Sequence, residues 1–142
     1  MAYKVKKAEV WAGDMMNRAG MLARVLESLA NAGADLEFVI ARRVNENTSR
    51  CFVAPIKGKK QKAAAAAVGL QPAANMHAIR IEGSDKPGLG ARITRDIAAV
   101  GINLRGLSAG ALGKKSVCYI ALETEEEAAN AAAAVKKALR GK

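Results

Sequence analysis

Asp85-Lys86-Pro87-Gly88-Leu89-Gly90-Ala91-Arg92 has a counterpart 68 residues earlier, Asn17-Arg18-Ala19-Gly20-Met21-Leu22-Ala23-Arg24. The match continues from Gly33-Ala34-Asp35-Leu36 to Gly101-Ile102-Asn103-Leu104. Glycine pairs at 20/88 and 33/101, alanine at 23/91 and 30/98, Arg24 pairs with Arg92 and Leu36 with Leu104. After a one-residue slip, Cys51-Phe52-Val53-Ala54 lies on Cys118-Tyr119-Ile120-Ala121. Self-similarity at a fixed offset marks a repeated structural unit. The chain therefore reads as two copies, residues 1–70 and 71–142.

Each copy has the same local pattern. Leu22, Val25, Leu26 and Leu29 recur at three-and-four spacing, as do Leu89, Ile93, Ile97 and Val100, which predicts one apolar helix face in each copy. Pro87 suits a first helical turn, and Gly33 and Gly101 suit the position just past a helix. Leu36, Phe38 and Ile40 alternate with polar or small residues and begin a strand. Turns at Asn45–Asn47 and Gly113–Lys115 lead into return strands at 50–56 and 116–122. A second helix then follows, over 59–68 or from Thr124 onward. Thr124 with Glu127 forms a capping box, and Ala128, Ala132, Val135 and Leu139 form the buried stripe. The alanine run 63–67 reads as helix rather than linker, because alanine is the best helix former. Strands at 5–12 and 76–81 precede the first helix of each copy.

The order strand, helix, strand, strand, helix, given twice, predicts an α+β fold of two ferredoxin-like modules with helices on one face of antiparallel sheets. The second copy ends at Gly141-Lys142 with no stretch left for a fourth strand. The segment 3–11 is the expected substitute, which implies strand sharing between modules. The segment 70–81 is long enough to end the first sheet and begin the second.

Of the 142 residues, 31 are alanine and aromatics are 4%, so the core must be close-packed from small aliphatic side chains. The 23 basic residues outnumber 13 acidic ones, for a formal charge of +10. Residues 1–72 contribute +6 and residues 73–142 contribute +4, so the excess is not a local tail. Such a charge attracts anions nonspecifically. Scattered aromatics argue against a base-stacking surface, so a nucleic-acid partner is not expected. No apolar run reaches transmembrane length and the first residues lack a signal-peptide core, which places the expected compartment in the cytoplasm. One histidine, two widely spaced cysteines and no phosphate loop leave no catalytic residue, metal ligand set or cofactor motif to nominate.

The loop-helix-strand pattern Asp85 to Ile93 with Val100-Gly101-Ile102-Asn103-Leu104, and its partner Asn17 to Leu36, resembles the signature of the ACT family of small-molecule-binding regulatory modules. The resemblance covers nearly the whole chain, as in a free-standing tandem ACT protein. Copy one departs from it at Ala19, where proline belongs, and at Asp35, where asparagine belongs. The resemblance implies an amino-acid ligand held where two modules meet, with the loop of one facing the post-helix strand of another. Asp85, Pro87, Gly88, Leu89, Asn103 and Leu104 are the candidate residues in copy two, and Asn17, Gly20, Met21, Asp35 and Leu36 in copy one. Chemically, a glycine that opens a helix exposes backbone N–H groups to a carboxylate, and nearby carbonyls or an Asn or Asp side chain can receive the ammonium. The expected function is a non-catalytic sensor of a free amino acid, as a homodimer. The alternatives are a regulatory subunit docked on an amino-acid biosynthetic enzyme and, less favoured, a basic nucleic-acid-binding protein.

The remaining polar and sulfur residues have simple readings. Cys51 and Cys118 occupy equivalent strand positions and read as buried, unpaired thiols. His77 reads as a strand surface residue, Met15-Met16 as gap filler, and Arg24 and Arg92 as solvated helix arginines.

Overall fold

The structure, a computed structural model, describes residues 3–140. In chain order the elements are β1 (Lys4–Ala8), β2 (Trp11–Met16), α1 (Met21–Asn31), β3 (Phe38–Arg43), β4 (Thr48–Ala54) and α2 (Gly58–Ala67). They continue with β5 (Gln71–Pro72), β6 (His77–Ser84), α3 (Leu89–Ala99), β7 (Gly106–Leu112), β8 (Lys115–Leu122) and α4 (Glu125–Leu139). The result is α+β, with two antiparallel four-stranded sheets and four helices. The chain divides into two compact units: Glu9–Ala73, and the residues before Glu9 together with those from Ala74 onward. The sequence repeat divides it instead at 70/71.

The unit from Ala74 onward has strand order β1-β6-β8-β7. Counted from β6 this is the ferredoxin-like order, with β1 in the fourth-strand position. Lys4 pairs with Glu82 and Ala8 with Ala78, antiparallel throughout. Three contacts reinforce the edge: the Tyr3 hydroxyl donates to Ser84 O at 2.8 Å, Val5 packs on the core, and Lys7 Nζ meets Glu125 Oε1 at 2.6 Å. Ile79, Ile81, Cys118, Ile120 and Leu122 point to the same sheet face and meet Ile93 and Ile97 of α3 and the alanine-rich side of α4. Ala128 and Ala131 are fully buried there, so α4 lies close on the sheet with small side chains where a leucine face would hold it off. Thr124 caps α4 by accepting from Glu127 N at 3.0 Å, and three glutamates in the first turn and two lysines in the last suit the helix dipole.

The Glu9–Ala73 unit repeats the plan with order β3-β4-β2-β5. Its core joins Trp11, Cys51 and Val53 to Val25 and Leu29 of α1 and Ala65 of α2. Its fourth strand is only two residues, paired with Trp11 and Ala12.

Several expectations change. The stretch 5–12 is not one strand: β1 and β2 belong to different sheets, separated by Glu9 and Val10. The segment 70–81 is likewise divided, between β5 and β6. Val100 is not on the buried face but 53% exposed, because α3 ends at Ala99 and Val100 is already its cap. In α4 it is Ala131 that is fully buried while Ala132 is only partly so. Leu36 and Leu104 precede the strands and plug the cores from the connections. Met15 packs on the core of its unit, while Met16 is 52% exposed.

Candidate functional site

Lys86-Pro87-Gly88-Leu89 forms a tight turn closed by Leu89 N donating to Lys86 O at 3.1 Å. Pro87 thus stands before the helix, not in its first turn, and Gly88 takes φ +85. Proline followed by a glycine at positive φ is the type II arrangement, and a side chain at Gly88 would be strained. Arg18-Ala19-Gly20-Met21 copies it, with Met21 N to Arg18 O at 3.3 Å and Gly20 at φ +89. Fixed φ from proline is absent there, yet the turn is the same; glycine is the residue that decides it.

Neither α1 nor α3 has a side-chain N-cap. In the α3 loop the main-chain N–H groups of Gly88, Gly90 and Ala91 have no backbone partner among the described residues, whereas those of Leu89 and Arg92 do. The available donors for an anion are therefore Gly88, Gly90 and Ala91, and not the expected Gly88–Leu89 pair. A Cβ at Gly88 or Gly90 would meet nothing within 4 Å, so this helix end is open. Helix-end donors with the macrodipole behind them favour a negative group.

The two copies differ beside that turn. Asn17 is committed to its own unit: its Nδ2 donates to Glu46 O at 3.0 Å and its Oδ1 accepts from Ser49 Oγ at 3.2 Å. Met21 Sδ accepts from Arg18 Nη2 at 3.8 Å. Asp85 occupies the position of Asn17 but is exposed, and among the described residues only its backbone N–H is engaged, with Lys114 O at 2.8 Å. Leu89 and Leu104 spend their side chains on one core and Leu36 on the other.

Asn103 and Asp35 are exposed and lie in the connections after the helices. The 11 residues of α3 separate the Gly88 turn from Asn103. At 1.5 Å per residue that is about 16 Å. Within one unit, then, the loop and the post-helix residues lie at opposite ends of a helix and do not share a ligand the size of an amino acid.

Other nominated residues are structural. Cys51 and Cys118 are buried free thiols; burial raises both pKa values, that of Cys118 to about 11. Arg92 is not simply solvated: its Nη2 donates to Ala138 O at 2.9 Å and ties α3 to the end of α4. Periodicity could not reveal this, since the acceptor is a main-chain carbonyl far along the chain. His77 is half-buried on β6 opposite Leu122. Among the described residues no three His, Cys, Asp or Glu side chains gather as metal ligands, and no helix is long and apolar enough to cross a membrane.

No protein-family model matches the sequence, and no curated protein matches it. Solved structures do match. Protein BT0572 from Bacteroides thetaiotaomicron aligns with a TM-score of 0.79 at 16% identity, covering 93% of this chain and 90% of that one. The regulatory subunit of aspartate kinase from Thermus thermophilus, in its ligand-free form, aligns at 0.68 and 18% identity, covering 99% and 98%. Aspartate kinase from Synechocystis aligns at 0.60 and 20% identity, covering 99% of this chain and 27% of that much longer one. The chain shares its fold with these proteins.

Proposed function

We propose that this chain is a non-catalytic regulatory protein of two ACT-type modules in tandem, with the N-terminal strand lent to the second, and that it senses a free amino acid. The observation that carries the reading is the repeated, uncapped helix end at Gly20 and Gly88, which presents open N–H donors in both copies. A ligand carboxylate would take Gly88, Gly90 and Ala91 N–H. Asp85 or Asn103 would take the ammonium, the latter from another module. Pro87 fixes the approach to Gly88, and Leu89 and Leu104 anchor the two half-sites to their core. The copy-one set, Gly20 with Asp35, is the weaker site, because Asn17 and Met21 are occupied. Likeness to a separate aspartate kinase subunit and to a segment of a whole kinase supports a second reading, a regulatory subunit docked on an amino-acid biosynthetic enzyme.

A thermal-shift screen of the purified chain against the twenty amino acids tests the first reading. A ligand at 100 times its Kd should add about 2.7 kcal/mol of stability. No shift with any of them at millimolar concentration removes the sensor reading. Co-purification of a larger enzyme with the tagged chain would support the second.

A further inference from the structure

The second helix of each copy starts with opposite charge. By the register that sets Cys51 on Cys118, Lys57-Gly58-Lys59-Lys60 lies on Thr124-Glu125-Glu126-Glu127, and Lys62 follows in the next turn of α2. We propose that the four lysines at the start of α2 are the surface by which this chain holds an acidic segment of a partner protein. The proposal rests on the reading of the chain as a docked regulatory subunit and names the face and the chemistry of that contact.

All four lysines are exposed, and among the described residues none of their ammonium groups has an ion pair. Neighbouring sequence supplies no counter-charge, because there is no Asp or Glu between Glu46 and Glu82. Cations at the start of a helix oppose its macrodipole, and Lys59 and Lys62 also repel each other across one turn. α4 has the favourable arrangement, with three glutamates in its first turn. The lysine cluster therefore destabilises α2 in the free chain, and carboxylates laid on it reverse that effect. The main-chain N–H of Lys57 already donates to Gln61 Oε1 at 2.7 Å, so the lysine side chains make the contact.

Copy two shows how a charged helix start is answered. There Glu125 meets Lys7 of β1 at 2.6 Å, and Lys7 sits opposite Ile79. Trp11 is the repeat equivalent of Ile79, and the residue opposite it is Pro72, which carries no charge. With the helix charge reversed, the missing counterpart in copy one is a carboxylate. Pro72 has no N–H to offer a further strand, so the segment lies on α2 and does not extend the sheet.

The rest of the helix surface decides the kind of partner. Residues 57–62 span about 8 Å of helix, and beyond them Ala63, Ala66 and Ala67 are exposed. A phosphate backbone is held by cations spread along its track, with aromatic rings for the bases. α2 has neither beyond Lys62. A membrane surface needs bulky apolar side chains on the binding face, where α2 offers methyl groups. A protein segment fits both parts, with its carboxylates on the lysines and its main chain close against the alanines.

The test is the fluorescence anisotropy of a fluorescein-labelled peptide rich in glutamate and alanine, titrated with the full chain at physiological ionic strength. Wild type should bind it, and more weakly as salt rises. Lys59→Gln, Lys60→Gln and Lys62→Gln together should weaken binding about tenfold through the loss of three exposed ion pairs. Lys115→Gln, Lys136→Gln and Lys137→Gln together remove the same charge at three exposed lysines elsewhere, and this variant should bind as wild type does. Lys59→Glu with Lys60→Glu should abolish binding and raise the melting temperature, which separates lost binding from lost folding. No binding by wild type, equal loss in the two triple variants, or a lowered melting temperature in the glutamate pair overturns the proposal. A single-stranded DNA of the peptide's charge that binds more tightly than the peptide, and is released by the α2 triple variant alone, makes the partner a nucleic acid and overturns it too. So does a wild-type chain that sediments as a dimer while the α2 triple variant sediments as a monomer, since the occupant is then the glutamate cluster of a second copy. A larger enzyme that co-purifies equally with wild type and with the α2 triple variant keeps the docked-subunit reading and overturns this surface. Peptide binding that depends on α2, with no larger enzyme co-purifying, supports the surface and counts against the docked-subunit reading.

Discussion

The main-chain N–H of Asp85 donates to the carbonyl of Lys114 at 2.8 Å, so the loop that opens α3 is held by the turn of the β7–β8 hairpin. Asn17 N–H makes the matching bond to Asn47 O at 2.9 Å. Both loops are positioned by backbone, which leaves the Asp85 side chain free of any structural duty among the described residues.

Changes at the loop should therefore separate binding from stability. Gly90→Glu adds a carboxylate at an open helix end and replaces glycine inside a helix. It should stabilise the fold by roughly 1 kcal/mol through propensity and the dipole, while repelling a ligand carboxylate and abolishing ligand-induced stabilisation. Gly88→Val is a poorer probe, because φ +85 makes the variant strained before any ligand is considered. Asn103→Ala should weaken ligand binding by about 1–3 kcal/mol if a buried partner is left unpaired, with little change in melting temperature since Asn103 is exposed. Calorimetry and thermal melts on the same samples check both.

Two other glycines should be intolerant for a different reason. A Cβ at Gly13 would press on the Gly69 carbonyl, and one at Gly83 on the Tyr3 ring. Each alanine variant should cost about 1–3 kcal/mol by overpacking, read in urea melts. Gly13→Ala should be the costlier, because backbone yields less than a ring near the chain start. Gly106→Ala, with open space around it, should be near neutral.

Acid should loosen the attachment of β1. A hydrogen bond and the charge of Lys7 lower the Glu125 pKa below its ordinary 4.5, and Arg80 does the same for Glu82. A depressed carboxylate contributes stability that is present above its unfolded pKa and lost as pH falls through the folded one. The difference in melting temperature between wild type and Lys7→Ala should accordingly be present at pH 7 and fade as the pH drops through the lowered pKa of Glu125. Both partners are largely exposed, so the difference should be small and should shrink in high salt.

The two thiols should be silent in the native state. Burial pushes Cys118 up to about 11 and raises Cys51 as well. Since the thiolate is the reactive form, a maleimide should label neither at pH 7.5 until denaturant is added. Rapid labelling of native protein would contradict their burial.

The helix faces and the hairpins were legible in the sequence because they are local. Apolar spacing of three and four, alternation, and glycine after a helix each depend on neighbours a few residues away. The loop glycines 20 and 88 could be picked out for the same reason, since a tight turn needs its positive φ wherever it occurs. Tertiary structure decided the rest. It split the N-terminal stretch between two sheets, since β1 pairs with residues 70 to 78 positions away and β2 with β4 only 32 to 42 away. It left the N–H groups of Gly90 and Ala91 open and that of Leu89 closed, since Leu89 N–H is used in a hydrogen bond to Lys86 O. It also placed Asp85 and Asn103 at opposite ends of α3. Sequence order showed both flanking one helix, but only the rise of that helix, about 16 Å over its length, shows that a single unit cannot close a site around one amino acid.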